Sequence, residues 1–451
     1  MSKVYASAIV GALACQKDSY LKTLTTKVVS CVALTVPKPS KSKSKVIPPV
    51  ETPRYEVEFE DTILFPEGGG QPSDTGVLHV IESDVTIPVF SVRRDGLVAR
   101  HAVPEPLTPG ATVTMNLTWG RRMDHMQQHT GQHLLSAVLD NYELATLSWS
   151  MGAGVQAGGD AILNYLDIPR KLTNDEIKSV QHEVNEHIQA ALPIRVVVPE
   201  SLEDGNTKTH KLPGDYDASK GVIRVIEIGG EEDDTSSKEL KSKSTRLDHN
   251  TCCGTHLSST SQIGSLVLLH QIPHKATQSR LYFIAGDRVP IYMQQCHTKL
   301  RSVNAALSCQ MADIEANLTR ISLQVRDLTS REKFWMSQAA LHEATVLREK
   351  LSKSKVAILY LPEASLDFFN LVIKELGEEP LKQATVVLAG GAGKDGGAIV
   401  VAGVNVPDIV NEVLKFAPKA RGGGKGRWQG KVNEWESGAV ELLVEHITNL
   451  A

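Results

Sequence analysis

The chain has 451 residues, 41% of them apolar and 22% charged, with a formal net charge of −4. That length exceeds one ordinary hydrophobic core, so two or three domains are expected, and the balance is that of a globular protein. The figures exclude a polycation that binds nucleic acid through its global field; six cysteines are too few for a disulfide framework and suit a reducing compartment, the cytoplasm; and no run of about eighteen apolar residues spans a membrane.

Residues 1–118 read as strands. Met1-Ser-Lys and the apolar stretch Val4 to Cys15 are faintly signal-like, but no clear cleavage site follows, and a first β-strand is the plainer reading. Thr23 to Val36 is rich in β-branched residues, and Tyr55 to Phe59 alternates apolar with acidic side chains. Val77 to Val80, Val85 to Val92 and Ala111 to Leu117 continue the pattern, punctuated by Gly and Pro. Together they predict a small N-terminal β-barrel. Pro37 to Lys45 is a basic Pro/Ser/Lys stretch that cannot build a core and reads as a solvated hairpin insertion, with RNA contact or a localisation signal as alternatives. Gly68, Gly69 and Gly70 suggest a phosphate cradle but lack the lysine and Ser/Thr of a P-loop; glycines also permit close backbone approach.

From Trp119 the period becomes helical. Arg121 and Arg122 precede the helix of the two histidines, placed to meet a phosphate, although two exposed arginines usually do nothing specific. His129-Thr-Gly-Gln-His133 places two imidazoles four residues apart, on one helix face and one turn apart, at the head of an apolar run through Leu134, Leu135, Val138 and Leu139. His125 lies a further turn upstream. A second helix is predicted from Thr173, as N-cap, to Leu192, with acids in its first turn. Strands return at Ile194 to Val198 and Val222 to Ile228; Glu231 to Asn250, acidic and then Ser/Lys-rich, reads as a mobile loop leading to Cys252-Cys-Gly-Thr-His256. Leu266 to His270 and Leu281 to Ile284 complete an α+β domain over 119–287. Histidines alone at this spacing would be weak, but with Cys252 and His256 they form a nitrogen/sulfur donor set typical of Zn²⁺.

Residues 288–354 form a helical connector. Leu300, Val303, Leu307, Met311, Ile314, Leu318, Ile321, Val325 and Leu328 follow each other at gaps of three and four, the spacing of a coiled-coil seam, which packs within the chain or joins two copies as a homodimer. Residues 355–451 alternate strand, helix, strand, strand and helix, an α/β domain. Gly390 to Gly397 fails as a Walker loop because Asp395 follows Lys394. Near the end, Lys419, Arg421, Lys425, Arg427 and Lys431 accompany Trp428 with no acid between them; RNA backbone contact with base stacking and a flexible solvated loop both fit.

The two metal-ligand segments, with the glycine-rich stretch Leu64 to Gly76, resemble the editing domain of alanyl-tRNA synthetases and the free-standing AlaX-type editing proteins. Cys15 to Tyr20 and Gly422 to Lys431 resemble the eukaryotic branch of that family, and the C-terminal part resembles the synthetase's C-terminal domain, associated there with tRNA. The resemblance covers most of the chain. It implies zinc on His129, His133, Cys252 and His256, with His125 outside the ligand set, and it sets Gln71 and Asp74 at the substrate end of the pocket. It further implies hydrolysis of Ser-tRNA(Ala), with Gly-tRNA(Ala) a second substrate, and tRNA contacts at Arg421, Lys425, Arg427 and Lys431. No synthetase core is found, so editing in trans without ATP is expected. An editing site must bind the serine hydroxyl, because an apolar pocket rejects an added hydroxyl poorly; Thr130, Gln132, Gln71 and Ser148 are the candidates. Four protein ligands would close the zinc site, the structural pattern, so whether zinc is catalytic stays open. Seryl editing of tRNA(Thr), and a non-enzymatic zinc-stabilised RNA-binding protein, are the alternatives.

Overall fold

The computed structural model describes residues 6–34, 54–152, 162–199, 221–230, 246–424 and 426–450. The lysine-rich stretch at 37–45, Lys425 and most of the loop expected at 231–250 lie outside them. Two compact units divide the chain, Met1–Leu300 and Arg301–Ala451. No helix among the described residues is long and apolar enough to cross a membrane.

In the first unit the expected opening strand is absent from residues 6–13. Ala8 and Val10 instead donate hydrogen bonds to Glu60 O (2.7 Å) and Leu97 O (2.8 Å) without pairing as a strand, and the short helix α1 (Ala14–Lys17) follows. Period-two alternation then builds β1 (Thr23–Ala33), β2 (Tyr55–Phe59), β3 (Gly76–Val80), β4 (Val85–Val89), β5 (Ser91–Asp95), β6 (Val98–Val103) and β7 (Thr112–Leu117). They form one antiparallel sheet in the order β4-β3-β7-β1-β2-β6-β5. Its edge strands β4 and β5 are consecutive in the chain, separated by Phe90, yet do not pair with each other. The sheet is therefore curled, a half-barrel closing over Val28, Val57, Phe65, Leu78 and Met115. A register shift between Val28 and Ser30 of β1 helps the strand bend.

The helix α2 (Trp119–Asp140) follows and is buried along most of its length. Met126, Leu134, Leu135, Val138 and Leu139 are core, but Gln128, His129 and Thr130 are buried too. Polar groups taken out of water on such a helix need partners from elsewhere. Against α2 packs α3 (Asn174–Gln189), whose N-cap Thr173 forms a reciprocal capping box with Glu176. Around them lie two antiparallel sheets. One is ordered β10-β11-β12, from β10 (Ile194–Val197), β11 (Val225–Gly229) and β12 (Arg246–Thr251). The other is ordered β13-β14-β9-β8, from β8 (Ser148–Ser150), β9 (Asn164–Ile168), β13 (Leu266–Pro273) and β14 (Ser279–Ala285). The last residues of the expected 231–250 loop are thus a paired strand, β12.

The seam expected as one helix over 300–328 is broken. Helix α4 (Arg288–Leu307) ends where Ser308 turns left-handed at φ 51°, and α5 (Ile314–Leu351) starts after a 3₁₀ turn. Ser308 N donates to Ala305 O and Cys309 N to Asn304 O, a Schellman termination made with serine in place of the usual glycine. In the second unit α5, β15 (Val356–Leu361), α6 (Leu366–Leu376), the one-turn α7 (Glu378–Leu381), β16 (Thr385–Gly390), β17 (Gly397–Gly403), α8 (Val406–Leu414), β18 (Arg421–Gly423), β19 (Arg427–Val432) and α9 (Ala439–Asn449) follow. The sheet β15-β16-β17-β19-β18 is mixed, parallel only at β15/β16, which α6 connects. Val386 and Leu388 pack towards α5 and α6, while Val387 and Ala389 pack towards α8 and α9, so alternate residues of one strand feed two cores.

Candidate metal centre

Two turns of α2 present His129 and His133, and the turn after β12 presents Cys252 and His256; the ligand atoms of all four lie within 4.8 Å of one another. Cys252 Sγ is 3.4 Å from His129 Nε2 and 3.2 Å from His256 Nε2. Ligand bonds of the usual Zn–N and Zn–S lengths set tetrahedrally give N···S edges of about 3.5 Å, close to these two separations. Burial by itself would raise the Cys252 thiol, but the imidazoles of His129 and His256 hold it well below the ordinary thiol value, favouring the thiolate a metal needs. Burial also works against a charged His133, yet hydrogen bonds to Asp248 and Cys252 push its pKa up to about 10. Burial drives His256 the other way, to about 3.

Each imidazole is held from behind. His129 Nδ1 donates to Gln71 Oε1 at 2.9 Å, and His133 Nδ1 to Asp248 Oδ2 at 2.7 Å. Thr130 Oγ1 lies 3.4 Å from His256 Nδ1 and accepts from Leu257 N. Gln71 is further tied to Thr255 through both its amide atoms. Such outer contacts fix the ring tautomer and leave the opposite nitrogen for the metal. Gly254 is required between the two ligands of the turn, because a Cβ there would lie 2.3 Å from His129 Cε1. Cys253 points away, towards Gly68 and Gly69, and burial together with the Cys252 charge raises its thiol to about 12.

The N-terminal segment grips this turn. Gln16 Nε2 donates to Cys253 O, Arg224 donates to Cys253 O, Gly254 O and Gln16 O, and Ser258 N donates to Tyr20 Oη, all at 2.8 to 2.9 Å. The expectation of two exposed arginines at the head of α2 is corrected. Arg122 is fully buried, paired with Asp74 and donating to Ser19 O and Ile63 O, and Arg121 Nε donates to Ser73 O at 2.9 Å. They clasp the glycine-rich stretch instead of awaiting a phosphate. Asp74 belongs to that clasp. His125 is buried 4.0 Å from Asp74 and is not part of the cluster; burial, with Arg121, Arg288 and Arg122 nearby, lowers its pKa to about 3.

A cavity of about 420 Å³ opens beside the cluster, bounded by His129, His133, Gly68, Gly69, Trp149 and Cys253. Trp149 stands 4.8 Å from the His129 ring, centre to centre, and a Cβ on Gly70 would come within 2.7 Å of the indole. Of the four hydroxyl-sensing candidates, Gln132 and Ser148 line the cavity, Ser148 donating to Asp167 at 2.6 Å. Gln71 and Thr130 are committed to the imidazoles. Sequence reasoning missed Asp248, Gln16, Arg224, Ser136 and Thr146. Two left a trace, Asp248 as an acid four residues before Cys252 and Gln16 within the Cys15 to Tyr20 stretch.

The basic segment near the C-terminus is a hairpin, β18–β19, on the edge of the second unit's sheet. Arg421 and Lys431 are exposed and directly opposed across the strands, a like-charge pairing that an anion would relieve. Arg427 is half-buried and donates to Asn370, and Trp428 packs in the core at 9% exposure, unavailable for base stacking.

Residues 223–289, which contain Cys252 and His256, match the family described as the threonyl and alanyl tRNA synthetase second additional domain. Over 98% of its length the chain is 35% identical to the Saccharomyces cerevisiae protein alaX, whose name places it in alanyl-tRNA editing, covering 97% of that protein. It is 32% identical to the alanyl-tRNA editing protein Aarsd1 of Mus musculus, covering 97% of this chain and 98% of the mouse protein. An alanine–tRNA ligase of Ignicoccus hospitalis is 28% identical over 86% of the chain, which spans 40% of that enzyme.

Proposed function

The chain belongs to the alanyl-tRNA editing protein family, and from that premise we propose that it hydrolyses serine-mischarged tRNA(Ala) in trans, as a zinc-dependent aminoacyl-tRNA deacylase. The observation that carries this reading is a four-donor metal cluster set into the wall of a cavity. His129, His133, Cys252 and His256 would hold zinc, which when bound supplies a positive centre able to polarise the ester or to fix the pocket's shape. Four protein ligands make a closed set, so placing the substrate falls to the chain's own groups. Trp149 and the Gly68–Gly70 turn shield the His129 side of the cavity from bulk water. Gln132 and Ser148 offer polar atoms to the aminoacyl group, and a site that hydrogen-bonds the serine hydroxyl disfavours alanine, which would leave those atoms unpaired. The glycyl group of Gly-tRNA(Ala), smaller than seryl, would enter the same cavity.

In this reading residues 1–118 shape the pocket, 119–287 carry the chemistry, 288–354 connect, and 355–451 capture tRNA through the exposed Arg421 and Lys431; Arg427 is held by Asn370, and Lys425 lies outside the described residues. Six free thiols suit a reducing compartment, the cytoplasm. Ile314, Leu318, Ile321, Val325 and Leu328 still keep seam spacing on α5, with Leu318, Val325 and Leu328 about half exposed; a second copy would cover them, and light scattering at twice the chain mass tests this.

The closed ligand set favours one other reading, a zinc-stabilised RNA-binding protein without turnover. Seryl-tRNA(Thr) is also a substrate to compare, because the matched family includes threonyl enzymes. Deacylation of Ser-, Gly- and Ala-tRNA(Ala) and of Ser-tRNA(Thr) by the purified full chain decides. Turnover of Ser-tRNA(Ala) is expected, and its loss in His133→Ala with the circular dichroism retained. No turnover of any substrate would leave the binding reading.

A further inference from the structure

Three polar side chains beside the metal cluster form a chain of their own. On α2, Ser136 lies one turn after Gln132 and two turns after His129, so all three share the face that lines the cavity. Gln132 Nε2 donates to Ser136 Oγ at 2.8 Å, and Ser136 Oγ meets Thr146 Oγ1 at 2.7 Å, from the loop after α2. A mid-helix serine commonly bonds back to its own helix carbonyl, but Ser136 is turned sideways to these two partners. Two hydroxyls sharing one mutual hydrogen bond use only one of their two protons. Whichever donates, the other retains an O–H for a ligand. Gln132 Oε1 takes no hydrogen bond from any described residue. The wall thus offers one donor and one acceptor close together, the complement of a group that both accepts and donates one hydrogen bond.

Resting on the deacylase reading above, we propose that Gln132, Ser136 and Thr146 recognise the side-chain hydroxyl of the seryl group, accepting its proton at Gln132 Oε1 and donating to its oxygen from the Ser136–Thr146 pair. Alanine presents only a methyl to this wall and leaves both protein atoms unpaired. Ser136 and Thr146 are specificity-determining residues here, and take no part in breaking the ester.

The test uses the full chain and two non-hydrolysable probes, the 3′-seryl and 3′-alanyl amides of 3′-amino-3′-deoxyadenosine, alongside hydrolysis of Ser- and Ala-tRNA(Ala). The wild type is expected to prefer the seryl probe. Ser136→Ala and Thr146→Val should each reduce that preference about tenfold or more, and the seryl-over-alanyl ratio of kcat/KM likewise. Thr146→Ser, which keeps the hydroxyl, should retain both. Unchanged preference in Ser136→Ala and Thr146→Val overturns the proposal, as does equal loss in Thr146→Ser, which would mean that the threonine methyl packs and its hydroxyl is idle. A wild type that prefers the seryl probe but hydrolyses no ester keeps the recognition and removes the deacylase reading. One that shows no preference removes the recognition.

Discussion

Asp248 receives the outer proton of His133 at 2.7 Å from 2% side-chain exposure, so no solvent can replace it. Asp248→Asn should weaken metal binding by about 10- to 100-fold, read by competition with a coloured chelator; affinity equal to wild type would show that the contact does not orient the ring. A second residue gives the pH dependence of stability. His101 is buried in the curled sheet, hydrogen-bonded to Thr62 and Val57, and burial lowers its pKa from 6.5 to about 4. Between those values the unfolded chain binds a proton that the folded chain does not, so stability is lost as pH falls from about 6.5 to about 4, by up to about 3 kcal/mol. His101→Gln should flatten the pH dependence of urea unfolding in that window; an unchanged slope would rule His101 out as its source. At this scale the four histidine and cysteine donors were legible because the spacing within each pair is local. Asp248, Gln16 and Arg224 were not, because their roles exist only where distant segments meet.

The hairpin β18–β19 shows what an element adds to composition. Its basic residues were legible, but their surroundings were not: the period of the strand turns Trp428 into the core, and Arg427, on the same face as Lys431, is tied to Asn370, while Arg421 and Lys431 face solvent. Arg421→Gln/Lys431→Gln should weaken tRNA binding and reduce the slope of log affinity against log salt by about one to two, with saturated turnover little changed. Filter binding across salt concentrations measures it, and an unaltered slope would return the hairpin to a solvated edge. Helix α4 teaches the reverse lesson. Nothing at Ser308 announces a stop, since neither Gly nor Pro is present, and the apolar spacing runs straight through it. Periodicity reports which residues share a face, and is blind to a single serine adopting the left-handed turn.

Across the whole molecule, the metal cluster joins α2 to the turn after β12, and both lie in the first unit; no comparable cluster is found among the described residues of the second. Removing the ion should therefore destabilise one unit selectively. Calorimetry with a strong chelator is expected to lower the midpoint of one transition and leave another in place, with zinc restoring it. If both transitions moved together, the units would not melt independently; if neither moved, the cluster would contribute nothing to stability.

The sequence by itself determined which four His and Cys donors to look for, the strand-rich start, the α+β middle, the sheet and helices of the last hundred residues, and the family. Each rests on spacing within a few residues or on motifs matched whole, and such signals survive without coordinates. Tertiary structure decided the rest. It turned the expected barrel into a half-barrel, since pairing of β4 with β5 is not written in either strand. It buried Arg122 against Asp74, because a cation placed between two segments trades water for a carboxylate and two carbonyls. It also separated Thr130, which supports an imidazole, from Gln132, which lines the cavity, by which side of α2 meets which neighbour, and it brought Gln71 from the glycine-rich stretch against His129.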